Sequence, residues 1–394
     1  MKVLVVHNHY QLPGGEDGVF DAETRLLEAR GAQVVRYTAH NAAIARLGPI
    51  ALATRTVWNR DAYGGLRAIL QRERPDVMHV HNTLPLISPA AYHAAVAEGV
   101  PVVQTLHNYR LLCAGANLYR DGVVCEECLG KRIPYAGVQH KCYRNSRVAT
   151  AGVAATLVVH RTMGTWSDCV DVFIALSEFS RNKFIEGGMS RDRIVVKPNF
   201  VDPDPGVGSG DGGYALYVGR LSPEKGVRTL LASWQLTGSR LPLRIVGDGP
   251  LAPDVAAAVS SNRAIEWLGQ RSAAEVAMLI RRATVLVCPS ECYENFPLVV
   301  TEAFAAGTPV VAARIGAIAE LVTHGRTGRL FAAGDPQALA DEIAQLLQDR
   351  LALPALRRQA RAEFEQKYTA SRNYEQLVHI YERAIARPAH RRGA

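Results

Sequence analysis

Short runs of Val, Ile and Leu recur along the whole chain, each too short for a helix and separated from the next by residues with helical spacing. Val3–His7, Gln33–Tyr37, Asp76–His81, Val102–His107, Val170–Leu176 and Ile194–Lys197 read as strands in the first half. Tyr214–Gly219, Leu243–Gly247, Ile265–Leu268, Val285–Pro289 and Val310–Ala313 read the same way in the second. Between many of them apolar residues return every three or four positions, as in Val19–Arg30 and Ala338–Asp349. Strands that are apolar on both faces need helices above and below, which a parallel sheet provides. The pattern predicts an α/β protein of the doubly wound kind.

The chain has 394 residues, too many for one ordinary domain, and 48% of them are hydrophobic, enough for two cores. The stretch 198–213 is rich in Gly and Pro, has no periodicity, and separates two complete strand–helix series. It divides the chain into an N-terminal domain, 1–198, and a C-terminal domain, 199–369. An amphipathic helix over Ala370–Ala386, in the tail 370–394, could dock back on the N-terminal domain. Ligands of doubly wound sheets bind beyond the carboxyl ends of the strands. No uncharged apolar run approaches the roughly 20 residues that cross a bilayer. Met1–His7 reads as a buried strand rather than a leader, so a cytoplasmic protein is expected.

The net charge is +8. Residues 1–198 hold 23 Lys and Arg against 17 Asp and Glu, and the remainder 22 against 20. No nucleic-acid-binding module is recognisable, so phosphorylated small molecules or an anionic membrane are the expected partners of a basic surface. The segment 41–74 concentrates this charge, with Arg46, Arg55, Arg60, Arg67, Arg72 and Arg74 against Asp61 and Glu73. Ile44, Leu47, Ile50, Leu52, Val57 and Trp58 are interleaved with it, as in helices that lie on membranes. A helix pair packed on the sheet would show the same pattern.

Two segments of the second half carry chemistry. After the strand Val285–Pro289 comes Glu294-Asn295-Phe296-Pro297-Leu298, followed by a helical stretch to about Ala306 that contains Glu302. Pro297 suits a first helical turn, and the amides of Asn295–Leu298 would then face an anion or polarised sugar oxygens. Glu294 and Glu302 would stand about 12 Å apart along the helix rise, less with a loop, able to bind hydroxyls at two ends of one extended ligand. In the second segment, Tyr217-Val218-Gly219 ends a strand and offers Arg220 and Lys225 in the following loop. A forked guanidinium beside a mobile ammonium suits a diphosphate. Gly247-Asp248-Gly249-Pro250, after another strand, falls short of a dinucleotide fingerprint.

Together these motifs resemble the large family of retaining glycosyltransferases called family four, glycosyl transferases group 1, whose members have the GT-B fold. The resemblance spans most of residues 214–335 and implies two Rossmann-like domains facing each other across a cleft. It implies that Arg220 and Lys225 hold the diphosphate of a nucleotide-sugar donor. It places Glu294 near the donor sugar, Glu302 on the ribose, and Gln270 and Arg271 by the base. Gly219, Gly247, Asn295, Phe296, Pro297 and Leu298 complete the donor-binding set. In the N-terminal half, Gly14 and Gly15 match the glycine-rich loop that approaches the leaving phosphate. His107 matches a histidine close to the reacting sugar; His81 is left open, and His79 reads as a strand terminus. The implied reaction is front-side, retaining sugar transfer to a glycan, lipid-linked or small-molecule acceptor on the N-terminal domain, without a catalytic metal. A sugar-nucleotide epimerase of the same fold, or a non-enzymatic metal–thiolate protein with a relic cleft, are the rival readings.

Seven cysteines occur, four of them close together. Cys113, Cys125, Cys128 and Cys142 lie in an insert over about 110–147, and the Cys125–Cys128 spacing is half of a common zinc site. A structural zinc on these four sulfurs is expected, with His140 as a substitute ligand, and disulfides or unligated thiols as the rival readings. Cys169, Cys288 and Cys292 read as small buried hydrophobes.

Overall fold

The structure is a computed structural model that describes residues 1–11, 14–236, 241–349 and 352–386. Its described strands are β1 (Lys2–His9), β2 (Gln33–His40), β3 (Val77–Val80), β4 (Val102–Thr105), β5 (Tyr119–Arg120), β6 (Val123–Val124), β7 (Val172–Ala175) and β8 (Ile194–Val196), followed by β9 (Ala215–Val218), β10 (Leu243–Val246), β11 (Ile265–Gly269), β12 (Val285–Cys288), β13 (Val310–Ala313) and β14 (Gly328–Phe331). The residues fall into two compact units, one of 1–117, 126–197 and 373 onward, the other of 118–125 and 198–372.

The first unit is built on a parallel sheet in the order β2-β1-β3-β4-β7-β8. The central strands β3, β4 and β7 are buried at every position, the two-sided burial their composition demands. From the C-terminal helix Ala370–Ala386, Leu377, Ile380, Tyr381 and Ala384 are in the core of this unit with Phe20 and Leu27 of the helix Gly15–Ala29. Full burial of an aliphatic side chain stabilises by about 1.5–3 kcal/mol, so this helix is an integral layer.

The second unit carries a parallel sheet in the order β11-β10-β9-β12-β13-β14. Its core includes Trp234, wholly buried, whose indole N–H donates to Leu241 O at 2.8 Å. The edge strand β14 has no counterpart in the sequence reading: it opens on Gly328 and carries Arg329, paired with Glu342 at 3.2 Å, which breaks the apolar run. The short antiparallel pair β5–β6 was likewise not foreseen, and it groups with this unit.

The connectivity of each sheet reverses once, between β1 and β3 in the first unit and between β9 and β12 in the second. At such a switch point the two neighbouring loops leave in opposite directions and open a crevice. These loops carry Gly14, His81, Gly219, Arg220, Lys225 and Glu294.

Candidate active site

In the second unit the switch-point loops are Gly219–Gly226 and Pro289–Pro297. Lys225 Nζ donates to Glu294 Oε1 at 2.6 Å, and Ser290 Oγ donates to the same oxygen at 2.8 Å. Burial alone would raise the Glu294 carboxyl, but the Lys225 ammonium and these hydrogen bonds hold it below its ordinary value. Lys225 is correspondingly raised: the neighbouring carboxylate outweighs its desolvation. The two loops are joined further by Glu291 N donating to Glu224 O at 2.9 Å, and by Thr229 Oγ1 donating to Glu291 Oε1 at 2.6 Å. Gly226, with φ +69°, permits this closeness, since a Cβ there would lie 1.9 Å from Pro289 O. A fixed ammonium beside a fixed carboxylate can bind a phosphate and a sugar hydroxyl side by side.

Arg220 is exposed, and among the described residues its guanidinium has no ion pair; its backbone carbonyl accepts from Tyr217 Oη at 2.8 Å. Glu302 lies on the helix Leu298–Ala305, half-buried, with its carboxyl raised by desolvation. Pro297 is not in the first turn, as expected, but immediately precedes it with φ −72° and ψ 101°. Asn295 and Phe296 are buried, and the Phe296 ring meets Tyr368 edge-on at 5.9 Å. Gln270 and Arg271 are exposed just after β11, with Arg271 3.9 Å from Glu275. Gly247 serves packing: its φ is +135°, and a Cβ would sit 1.9 Å from Gly219 O. Tyr119 of β5 lies near Glu291, Cys292 and Glu224; burial and those charges raise its phenol to about 12. Nothing in the sequence linked that hairpin to these loops.

In the first unit, Gly14 caps the helix Gly15–Ala29, and its amide donates to Asp17 Oδ2 at 2.9 Å. Asp17 also takes His7 Nε2 at 2.7 Å and the Tyr10 amide at 3.3 Å, so its carboxylate already uses one donor expected for a phosphate. Leu12 and Pro13 of this loop lie outside the described residues.

Behind the loop is a buried polar chain. Lys197 and Glu23, wholly buried, form an ion pair. The second Glu23 oxygen, Oε2, faces His81 Nε2 at 3.6 Å, and both atoms are buried without a hydrogen-bond partner among the described residues. His81 Nδ1 meets His107 Nε2 at 2.9 Å. Burial, then neighbouring positive groups, holds both imidazoles well below the ordinary value, so both are neutral. A carboxylate beside Nε2 of His81 puts the proton on that nitrogen, so Nδ1 accepts from His107 Nε2–H. His107 therefore keeps Nδ1 as an acceptor. His79 is wholly buried between Tyr381 Oη and Thr105 Oγ1, both at 2.8 Å.

Glu16, in the first helical turn, accepts from Tyr10 Oη at 2.9 Å and Asn108 Nδ2 at 3.2 Å. Burial, against these hydrogen bonds, raises its carboxyl to about 7. The unfolded chain would ionise this group at ordinary carboxylate pH, so the fold holds the extra proton and loses stability as pH rises from about 4.5 to about 7. Glu16→Gln is expected to stabilise the protein relative to wild type at pH 8 by about 2 kcal/mol more than at pH 5. Urea midpoints at the two pH values check this; an equal difference at both would refute it.

The basic segment 41–74 divides between core and surface. Arg67 pairs with Glu98, Arg55 with Asp61 and Arg72 with Glu73, while Leu66 and Leu70 are core residues. Trp58 stacks among Tyr63, His93 and His160, away from the outward role expected of it. No described helix is long and apolar enough to cross a membrane.

None of the seven cysteines, all among the described residues, forms a disulfide. Among the described residues, the groups of three or more potential ligands with donor atoms all within 4.8 Å are His7–His9–Asp17 and Glu23–His79–His81. In the second group the Lys197 ammonium already takes the place of a cation. Cys113, Cys128 and Cys142 of the first unit form no such group, and Cys125 falls in the second unit.

Two doubly wound parallel sheets, each with polar loops at its switch point, have the architecture of the GT-B fold. The sequence matches the Glycosyltransferase Family 4 domain over residues 13–205 and the glycosyl transferases group 1 domain over residues 212–349. The chain belongs to this family, glycosyltransferase family four, group 1. It is 29% identical over 214 residues to an uncharacterised glycosyltransferase of Methanocaldococcus jannaschii, covering 54% of this chain and 59% of that one. It is 35% identical over 181 residues to a D-inositol 3-phosphate glycosyltransferase of Corynebacterium urealyticum, covering 42% of each. The matches thus span about half of the length of these curated relatives. Among solved structures, Anabaena HepE in complex with UDP superposes with a TM-score of 0.69 at 19% identity, covering 97% of this chain and 100% of that one. Sucrose-phosphate synthase from Thermosynechococcus elongatus gives 0.70 at 17%, covering 98% and 100%.

Proposed function

We propose that this protein moves a sugar, with retention, from a nucleoside diphosphate sugar to a hydroxyl of an acceptor held by the first unit. The observation that carries the reading is the Lys225–Glu294–Ser290 cluster at the switch point of the second sheet, with Glu302 on the helix that follows. Lys225 and the unpaired Arg220 would neutralise the diphosphate as it leaves, the electrostatic term that dominates such reactions. Glu294, kept ionised by Lys225, would accept hydrogen bonds from the donor sugar, and Glu302 from the ribose. Gln270 and Arg271 would border the base. His107, neutral and with Nδ1 as acceptor, would take a sugar hydroxyl.

In the step itself the bond from the anomeric carbon to the phosphate oxygen breaks and the acceptor oxygen attacks the same face. The acceptor proton passes to the leaving phosphate oxygen. No nucleophilic side chain is needed. HepE has been crystallised with UDP and with UDP-glucose, which makes these the first ligands to try. Incubation with UDP-sugars is expected to release UDP only when an acceptor is present. Interconversion of the donor sugar without an acceptor would instead establish an epimerase.

A structural zinc on Cys113, Cys125, Cys128 and Cys142 is also proposed, from their spacing. Protein purified without chelator or a metal-affinity tag is expected to carry near one zinc per chain, lost with thermal stability in Cys125→Ser. Metal-free protein with full activity would end this proposal.

A further inference from the structure

The first unit contains a cavity of about 480 Å³ that the residues discussed so far do not fill. That size suits a small-molecule ligand. Tyr10, Asn82, Asn108 and Arg110 reach it from the loops after β1, β3 and β4, so it opens at the carboxyl edge of the sheet, where His107 is the neighbour of Asn108.

Its lining is sorted by chemistry. Ile44 and Leu52 come from 41–57, and Val148 and Val153 from the helix Arg147–Thr162, forming an apolar side. Val148 remains 81% exposed, as does Ile50 on the helix Pro49–Val57, so apolar surface continues outside the mouth. Arg110 and Arg144 line the same cavity, with Tyr143 between them at 5.0 and 5.4 Å from the two guanidinium carbons. Stacking on one ring fixes both forks in place. Arg110 is held further by donating to Ala114 O at 2.7 Å. Among the described residues no Asp or Glu lines the cavity. Behind the lining, Glu16 bonds to Tyr10 and Asn108 and interacts with Arg110, but burial raises its carboxyl to about 7, so while it holds its proton the cavity carries two cations and no carboxylate.

We infer that this cavity takes the acceptor, and that the acceptor is an anionic amphiphile: a hydroxyl-bearing head with a phosphate on Arg110 and Arg144, and an apolar body along Leu52, Val148 and Val153. This rests on the proposed transferase reading and narrows its acceptor class. A neutral oligosaccharide would place no anion on the two stacked guanidinium groups and would leave an apolar wall unmatched. An anion without an apolar body would leave the wall wet.

The test is calorimetric, on the full chain, with dodecyl phosphate below its micellar concentration, decyl glucoside as neutral amphiphile, and inorganic phosphate. Dodecyl phosphate is expected to bind at one per chain, at least tenfold tighter than either control. Arg144→Gln should weaken dodecyl phosphate about tenfold, the scale of one charged hydrogen bond, and leave decyl glucoside unchanged. Gly152→Phe should abolish binding of both amphiphiles, because Gly152 lines the cavity and a Cβ there meets no atom within 4 Å. The urea midpoint of each variant, measured on the same samples, reports that the first unit is folded, and UDP binding reports on the donor site. Undiminished dodecyl phosphate binding in Gly152→Phe, or inorganic phosphate or decyl glucoside binding as tightly as dodecyl phosphate, would overturn the inference. Loss of UDP binding by the wild-type protein with dodecyl phosphate still bound would strike the transferase reading and spare the cavity.

Discussion

Lys225→Ala is expected to lower transfer by about two to three orders of magnitude, the usual cost of deleting a group that stabilises charge at the reacting centre. Two effects add. The leaving diphosphate loses a cation fixed by its 2.6 Å contact with Glu294. Glu294 in turn loses the ammonium that keeps its half-buried carboxyl ionised, and desolvation then raises it toward the neutral form. Glu294→Ala should cost a similar factor while leaving Lys225 free to bind phosphate, so the two variants separate on ligand binding. Lys225→Ala should weaken UDP far more than uridine, and Glu294→Ala should affect the two nearly alike. Normal turnover in both variants would remove these loops from the reaction, and equal losses of UDP and uridine in Lys225→Ala would move the lysine away from the diphosphate.

Lys197→Met should be the most destabilising of the substitutions considered. Lys197 and Glu23 are 0% and 1% exposed, so removing the ammonium leaves a carboxylate in the core with no opposite charge. Breaking one side of such a pair costs about 3–5 kcal/mol. Lys197→Met combined with Glu23→Gln removes both charges and should recover much of that loss in a urea titration. The double variant also takes away the carboxylate that sets the His81 tautomer, and through it the hydrogen bond to His107. It should therefore be folded yet slower in transfer. Full activity in a folded double variant would show that the histidine pair works without Glu23.

The sequence by itself determined the class of fold, because strands such as Val285–Cys288 and Val310–Ala313 are apolar at every position and only a covered parallel sheet buries both faces. It also determined the loops that carry the chemistry, since Lys225-Gly226 and Glu294 directly follow strands and loop chemistry there is local. It did not reveal β14, whose Gly328 and Arg329 interrupt the apolar signal at a sheet edge. Only the tertiary structure decided the strand order, and hence which loops share a switch point. Pairing of distant strands leaves no periodic mark in the chain. The same reason hid the Lys197–Glu23–His81–His107 chain: its members are up to 174 residues apart, and each alone looks like a strand terminus or a helix charge. The cavity beside Tyr143 was hidden likewise, because its apolar wall and its arginines come from segments that meet only when the first sheet is wound.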